Sequence, residues 1–280
     1  MKLNKPGAEW YVPDGKDFDE AVARTTHMGI SAHQDDLEIM AYHGIVECFG
    51  NKDNWFFGTV VTDGAGSARD GIYASYSDED MRAVRKMEQK KAAYIGEYGL
   101  QALLDYTSAE VKNRENRQST EELKCLIEKA APRIIYTHNL ADKHDTHVAV
   151  ALKVIAAIRA LPRELRPNKL YGCEVWRSLD WMVDSDKVMF NVSSHANLAA
   201  ALVGVFDSQI CGGKRYDLAT AGRRIANATY AESHQTDTSQ SMNYGMDLTP
   251  LIQEPNLSIE EYVKSYINRF SEDVCGRINR

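Results

Sequence analysis

The chain has 280 residues, of which 44% are hydrophobic and 26% charged, with a formal net charge of −7. This composition is that of an ordinary soluble globular protein, and the length allows a sizeable core. The negative balance argues against a general nucleic-acid binder, which needs clustered Lys and Arg to neutralise phosphates, and no run approaches the roughly 18 apolar residues of a membrane span.

Residues 1–24 are polar and carry Pro6 and Pro13, so they read as an irregular arm without the apolar stretch of a signal peptide. A strand is predicted to end near Ala32, followed by a helix from about Asp36 to Phe49. Trp55 to Thr62 reads as a second strand, closed by the turn Asp63-Gly64-Ala65-Gly66-Ser67. From Asp78 the apolar spacing becomes helical, with Ser77 and Asp78 as candidate caps. Leu100–Tyr106 is a candidate strand, Ser119–Ala131 a helix stopped by Pro132, and Arg133–Thr137 another strand. A helix then buries Val148, Ala151, Val154, Ile155 and Ile158. Strands are expected at Lys169–Trp176 and Lys187–Val192, and helices at Ala196–Ser208 and Tyr216–Ser233. A polar loop follows at Gln235–Tyr244, then a last helix from Ser258 to about Cys275. Alternating strands and helices predict an α/β protein with a mainly parallel sheet, in a single domain over 1–280. The five cysteines (Cys48, Cys125, Cys173, Cys211, Cys275) form no C-x-x-C pair. Most are expected to be reduced and buried or partly buried, as in a cytoplasmic protein.

Three of the eight histidines fall in two short clusters, His33-Gln34-Asp35-Asp36 and His144-Asp145-Thr146-His147, each just after a predicted strand. Residues at the carboxyl ends of neighbouring parallel strands converge on one crevice, where ligands bind. Two histidines and a carboxylate would make a three-ligand site with an open position, as in catalytic rather than structural zinc centres. His33 and Asp36, three apart at a helix start, can share one face. Asp35 then projects differently and is free to take a proton from water. In the second cluster one histidine can ligate and the other can donate to an oxyanion or a leaving nitrogen.

Ser31-Ala32-His33-Gln34-Asp35-Asp36-Leu37-Glu38 resembles the Ala-His-Pro-Asp-Asp-x-Glu motif of the PIG-L (LmbE-like) family of zinc-dependent N-deacetylases. Val61-Thr62-Asp63-Gly64-Ala65-Gly66, Arg85-Lys86-Met87-Glu88 and Asp142-Lys143-His144-Asp145-Thr146-His147 are similar to further motifs of that family, in order. The resemblance implies a Rossmann-like sandwich with its active site at the carboxyl ends of the strands. It implies metal ligands at His33, Asp36 and His147, a general base at Asp35, and an acid or oxyanion-stabilising histidine at His144. Gln34 stands where the family has proline, Ala65 where it has glutamate, and Thr146 where an aspartate orients the acid histidine. Asp142 or Asp145 could take over that orienting task and raise the pKa of His144.

Around the site, Arg69 on the glycine-rich turn and Trp176 and Arg177 at the end of a later strand are candidate substrate-binding residues. Arg85 and Glu88 read as a structural pair. His138 either lines the pocket or is hydrogen-bonded near the surface. The expected function is metal-dependent removal of an acetyl or similar acyl group from the amine of an N-acetylated sugar or conjugate, with Zn²⁺, or Fe²⁺, as cofactor. The alternatives are an amidase of a larger thiol–sugar conjugate and a non-catalytic ligand-binding protein on the same fold. The expected partner is a small molecule, neither nucleic acid nor membrane, and a homo-oligomer is left open.

Overall fold

The computed structural model describes residues 1–279. The chain begins with β1 (Glu9–Tyr11), α1 (Phe18–Ala23), β2 (His27–Ser31), α2 (Asp36–Met40), α3 (Tyr42–Cys48) and β3 (Phe56–Thr62). Next come α4 (Asp78–Ile95), β4 (Leu100–Tyr106), α5 (Ser108–Lys112), α6 (Gln118–Ala130), β5 (Ile134–His138) and α7 (Asp145–Arg159). The remainder is β6 (Lys169–Cys173), β7 (Lys187–Asn191), α8 (Ala196–Gly204), α9 (Asp207–Ile210), α10 (Tyr216–Thr229), β8 (Met242–Asp247), α11 (Thr249–Gln253) and α12 (Ile259–Ile278).

All eight strands join one sheet in the order β1-β4-β3-β2-β5-β6-β8-β7. The central five are parallel, whereas β1 and β8 run antiparallel to their neighbours. Strands covered on both faces need apolar residues at successive positions. β3 meets that requirement, with all seven of its residues buried. Phe57 and Val61 enter one core with α6 and α7, and Phe56 and Val60 enter the other with α2 and α3. The chain runs outward from β2 through β3 to β4, then returns to lay β5 on the other side of β2. That reversal opens a crevice beyond the carboxyl ends of β2 and β5.

The sequence-derived elements need four corrections. Residues 1–24 are not wholly irregular: β1 extends the sheet, and Trp10 packs on Phe18 and Phe57. The expected loop 235–244 ends inside β8, where Met242, Tyr244 and Met246 alternate into the core. The helix expected over Asp36–Phe49 breaks at Ala41, and the one over Ala196–Ser208 divides into α8 and α9. All five cysteines are free, but Cys125, Cys211 and Cys275 are exposed rather than buried. Among the described residues, no helix is long and apolar enough to cross a membrane.

Candidate active site

The turn after β2 carries the first cluster. Asp35 sits at φ +87°, a conformation costly for a residue with a Cβ, and it precedes α2 without using its side chain as a cap. The carboxylate is instead held by Arg85 of α4, whose Nη2 lies 2.8 Å from Asp35 Oδ2. Arg85 also donates to the Gln34 carbonyl, while Gln89 Oε1 accepts the Asp35 N–H. A helix on another part of the chain therefore fixes both the backbone and the side chain of this residue. Gln34 donates to the Thr62 carbonyl, linking the first turn to the one after β3. There Gly64 has φ +74°, and a Cβ would lie 2.5 Å from Gln34 Oε1, so both the angle and the space select glycine.

The second cluster opens α7. His144 is its N-cap, and its Nδ1 accepts the Thr146 N–H at 3.3 Å. His147, one turn in, is fully buried, with its Nδ1 3.2 Å from Asp142 Oδ2. Asp142 also accepts from the backbone N–H groups of Lys143, His144 and Trp176. It thus orients His147 and not the His144 ring, and Asp145 is exposed.

The two turns bring three donor atoms together: His33 Nδ1 to His147 Nε2 is 3.1 Å, and Asp36 Oδ2 lies 3.3 Å from each. Tetrahedral bonds of about 2.0–2.1 Å would set such donors about 3.3 Å apart, so this triangle fits a zinc-sized ion. His138, fully buried, also lies near Asp36 and His147. Its Nε2, however, accepts the Ala32 N–H at 2.8 Å, and its ring stacks on His147 with centroids 3.9 Å apart. It backs His147 rather than lining the pocket or sitting near the surface. His144 groups with His33 and His147 as well, leaving Nε2 as its free nitrogen.

Burial pushes the Asp35 carboxyl above the usual carboxylate range, aided by Asp36 and opposed by Arg85. Burial also disfavours ionised Asp36, but His147, His138 and His33 outweigh it and hold that group low. Burial, with repulsion from His147 and His33, pulls His144 down to about 4. Asp142 acts to raise it, as expected, but burial and the two histidines outweigh it, so His144 is a neutral imidazole near pH 7.

These groups open on a cavity of about 360 Å³. Trp176 lines it, with Lys112, Lys214 and Tyr216. Arg69 does not: its guanidinium is engaged by the Ala65 carbonyl and by Asp78. Arg177 is exposed and outside the cavity wall. Arg85, which sequence reasoning paired with Glu88 alone, also holds Asp35. Its spacing to Glu88 was visible, but its reach to Asp35, fifty residues away, was not.

Residues 28–158 match the family model described as PIG-L, GlcNAc-PI de-N-acetylase. No curated protein matches the chain significantly by sequence. Among solved structures, the chain is similar to N,N'-diacetylchitobiose deacetylase from Pyrococcus horikoshii (TM-score 0.64, 12% identity, covering 88% of this chain and 98% of that one). It is also similar to the A40926 pseudoaglycone deacetylase (TM-score 0.58, 14% identity, 80% and 97%). A third likeness is to the 4-carboxy-2-hydroxymuconate hydratase of Pseudomonas putida KT2440 (TM-score 0.61, 15% identity, 84% and 100%). At such identities the likeness establishes the fold, which carries more than one chemistry. All four motif stretches that resembled PIG-L lie within the matched segment.

Proposed function

We propose that the protein is a metal-dependent N-deacylase acting on an N-acetylated amino sugar or its conjugate. The observation that carries this reading is the donor triangle of His33, Asp36 and His147, with the Asp35 carboxylate fixed beside it by Arg85. The matched family and the deacetylases among the similar structures support the substrate class.

His33, Asp36 and His147 would hold the ion, and two imidazoles with a carboxylate suit zinc or ferrous iron. A divalent ion bound there supplies Lewis acidity, lowering the pKa of water and polarising an amide carbonyl. Asp35 takes the proton from the attacking water, because Arg85 holds its Oδ2 and fixes the direction of the carboxylate. The Thr146 N–H occupies His144 Nδ1, so the ring proton sits on Nε2, and neutral His144 donates a hydrogen bond to the developing oxyanion. An amide nitrogen leaves poorly unless protonated. Asp35, now carrying a proton and buried so that the neutral acid is favoured, returns it to that nitrogen.

An amidase of a larger conjugate would use the same residues, and a second cavity adjoining the first favours a substrate longer than one sugar. A purely binding role leaves the fixed base unexplained. The test is release of free amine from a panel of N-acetylated amino sugars, free and conjugated, with zinc, ferrous iron or chelator. Metal-dependent release, abolished by chelator, is expected. Intact amides throughout, with the metal bound, would overturn the reading.

A further inference from the structure

We propose that the cavity behind Trp176 is an anion subsite, which receives a carboxylate or phosphate on the group attached to the N-acyl sugar. This deepens the deacylase reading and rests on it for what is cleaved. What is bound rests on separate residues.

The second cavity, of about 270 Å³, shares Trp176 and Tyr216 with the catalytic one. Its wall carries three cationic side chains, Lys143, Arg223 and Arg224. Arg224 is only 5% exposed, yet every hydrogen-bond partner it has is neutral. Nε donates to Asn243 Oδ1 at 3.0 Å, Nη2 donates to the Glu38 and Ile39 carbonyls, and the guanidinium lies over the Tyr42 ring. Among the described residues, Nη1 makes no hydrogen bond. Burial lowers the pKa of Arg224 to about 10, and no carboxylate offsets that pull. Arg223, half-buried, donates from Nη1 to the Val175 carbonyl; among the described residues it has no ion pair, and neither has the exposed Lys143.

Glu174 is the carboxylate in this wall. Its oxygens are already occupied, accepting from the Leu179 and Tyr244 N–H groups and from Asn227 Nδ2. In the adjoining catalytic cavity, Lys214 lies over the Trp176 ring at 5.1 Å and, among the described residues, likewise has no carboxylate partner. Lys143, Arg223 and Arg224 thus line one cavity without an ion pair among the described residues, in a chain whose net charge is −7. A buried charge without a counter-charge is costly, and an incoming anion would satisfy it with charge-assisted hydrogen bonds from the spare guanidinium donors. A neutral saccharide would leave the charge uncompensated. The cavity is small for a complete second ligand but has room for a carboxylate- or phosphate-bearing fragment.

The experiment compares three substrates: the methyl glycoside of N-acetylglucosamine, its carboxymethyl glycoside, and N-acetylglucosamine 1-phosphate. At least one anionic compound should exceed the neutral one in kcat/KM by roughly 10- to 100-fold, the worth of a charge-assisted contact. The carboxylate and phosphate arms tell which anion is preferred. Arg223→Gln, and separately Arg224→Lys, should bring the anionic-to-neutral ratio toward one. Calorimetry on chelator-treated protein provides a readout without turnover: the anionic compounds should bind, and Arg223→Gln should weaken them. Anion binding that depends on Arg223, with no amine released from any compound, would sustain the subsite and defeat the deacylase reading. Equal kcat/KM on all three, with a ratio insensitive to Arg223→Gln, would overturn the subsite and leave deacylation standing.

Discussion

The turn after β2 and the turn that opens α7 each place two side chains three residues apart at a helix start, yet they present different chemistry. In the first, the residue before the helix, Asp35, withholds its side chain from capping, takes a positive φ and is held by the buried cation Arg85. In the second, His144 spends Nδ1 as the cap of α7, in ordinary extended backbone, and keeps only Nε2 for the cavity. The first turn supplies carboxylates, one held low by histidines and the other pushed up by burial. The second supplies imidazoles, of which His144 is kept neutral and His147, favoured by Asp36 and Asp142 against its own burial, is raised. Equal spacing thus fixes which residues can meet. What each does is decided by the cap, the backbone angle and the partner brought from elsewhere.

Asp35→Asn is the strongest way to break this division of labour. The donor triangle should persist, so metal content by atomic absorption should match the native protein, while kcat falls about 10²–10⁴-fold. Loss of the ion would mean that the two carboxylates of the first turn have exchanged roles. Next in size is Arg85→Met, which strands Asp35 and Glu88 without their cation. Urea unfolding should report a loss of about 3–5 kcal/mol, the usual cost of removing one partner from a buried pair. An unchanged midpoint would show that the first turn does not depend on α4.

The second turn is probed by Asp142→Asn, which weakens the hydrogen bond orienting His147. A competition titration with a chromophoric chelator should show metal affinity reduced about 10- to 100-fold. Asp145→Asn, at an exposed position, should leave affinity unchanged, and a comparable loss there would reverse the assignment between these two aspartates. The smallest effect is expected outside both turns. Arg69→Ala removes a guanidinium that is bound to Ala65 and Asp78 rather than facing the cavity, so KM and kcat should stay at native values. A clear rise in KM would restore Arg69 to substrate binding.

Much of the parallel half of the sheet was legible because its strands are buried on both faces and read as unbroken apolar runs bounded by turns. β1 and β8 were not. β1 has three half-buried residues, and β8 (Met-Asn-Tyr-Gly-Met-Asp) emerges from a polar stretch; each is held by a neighbour distant in sequence. For the candidate site, local spacing singled out His33, Asp35, Asp36, His144 and His147, which the fold brings together. It could not say that Asp142 serves His147, that Arg69 turns away, or that Arg85 holds Asp35.

The sequence by itself determined the alternation of elements, the two clusters at strand ends and the match of residues 28–158 to the PIG-L family model, because periodicity, caps and short motifs are local properties of the chain. The tertiary structure decided the rest: the 3.1–3.3 Å convergence of three donors, the neutral state of His144, and the cationic cavity behind Trp176. Burial, electrostatic field and partner choice depend on segments far apart in sequence packing together, and no short stretch of residues encodes them.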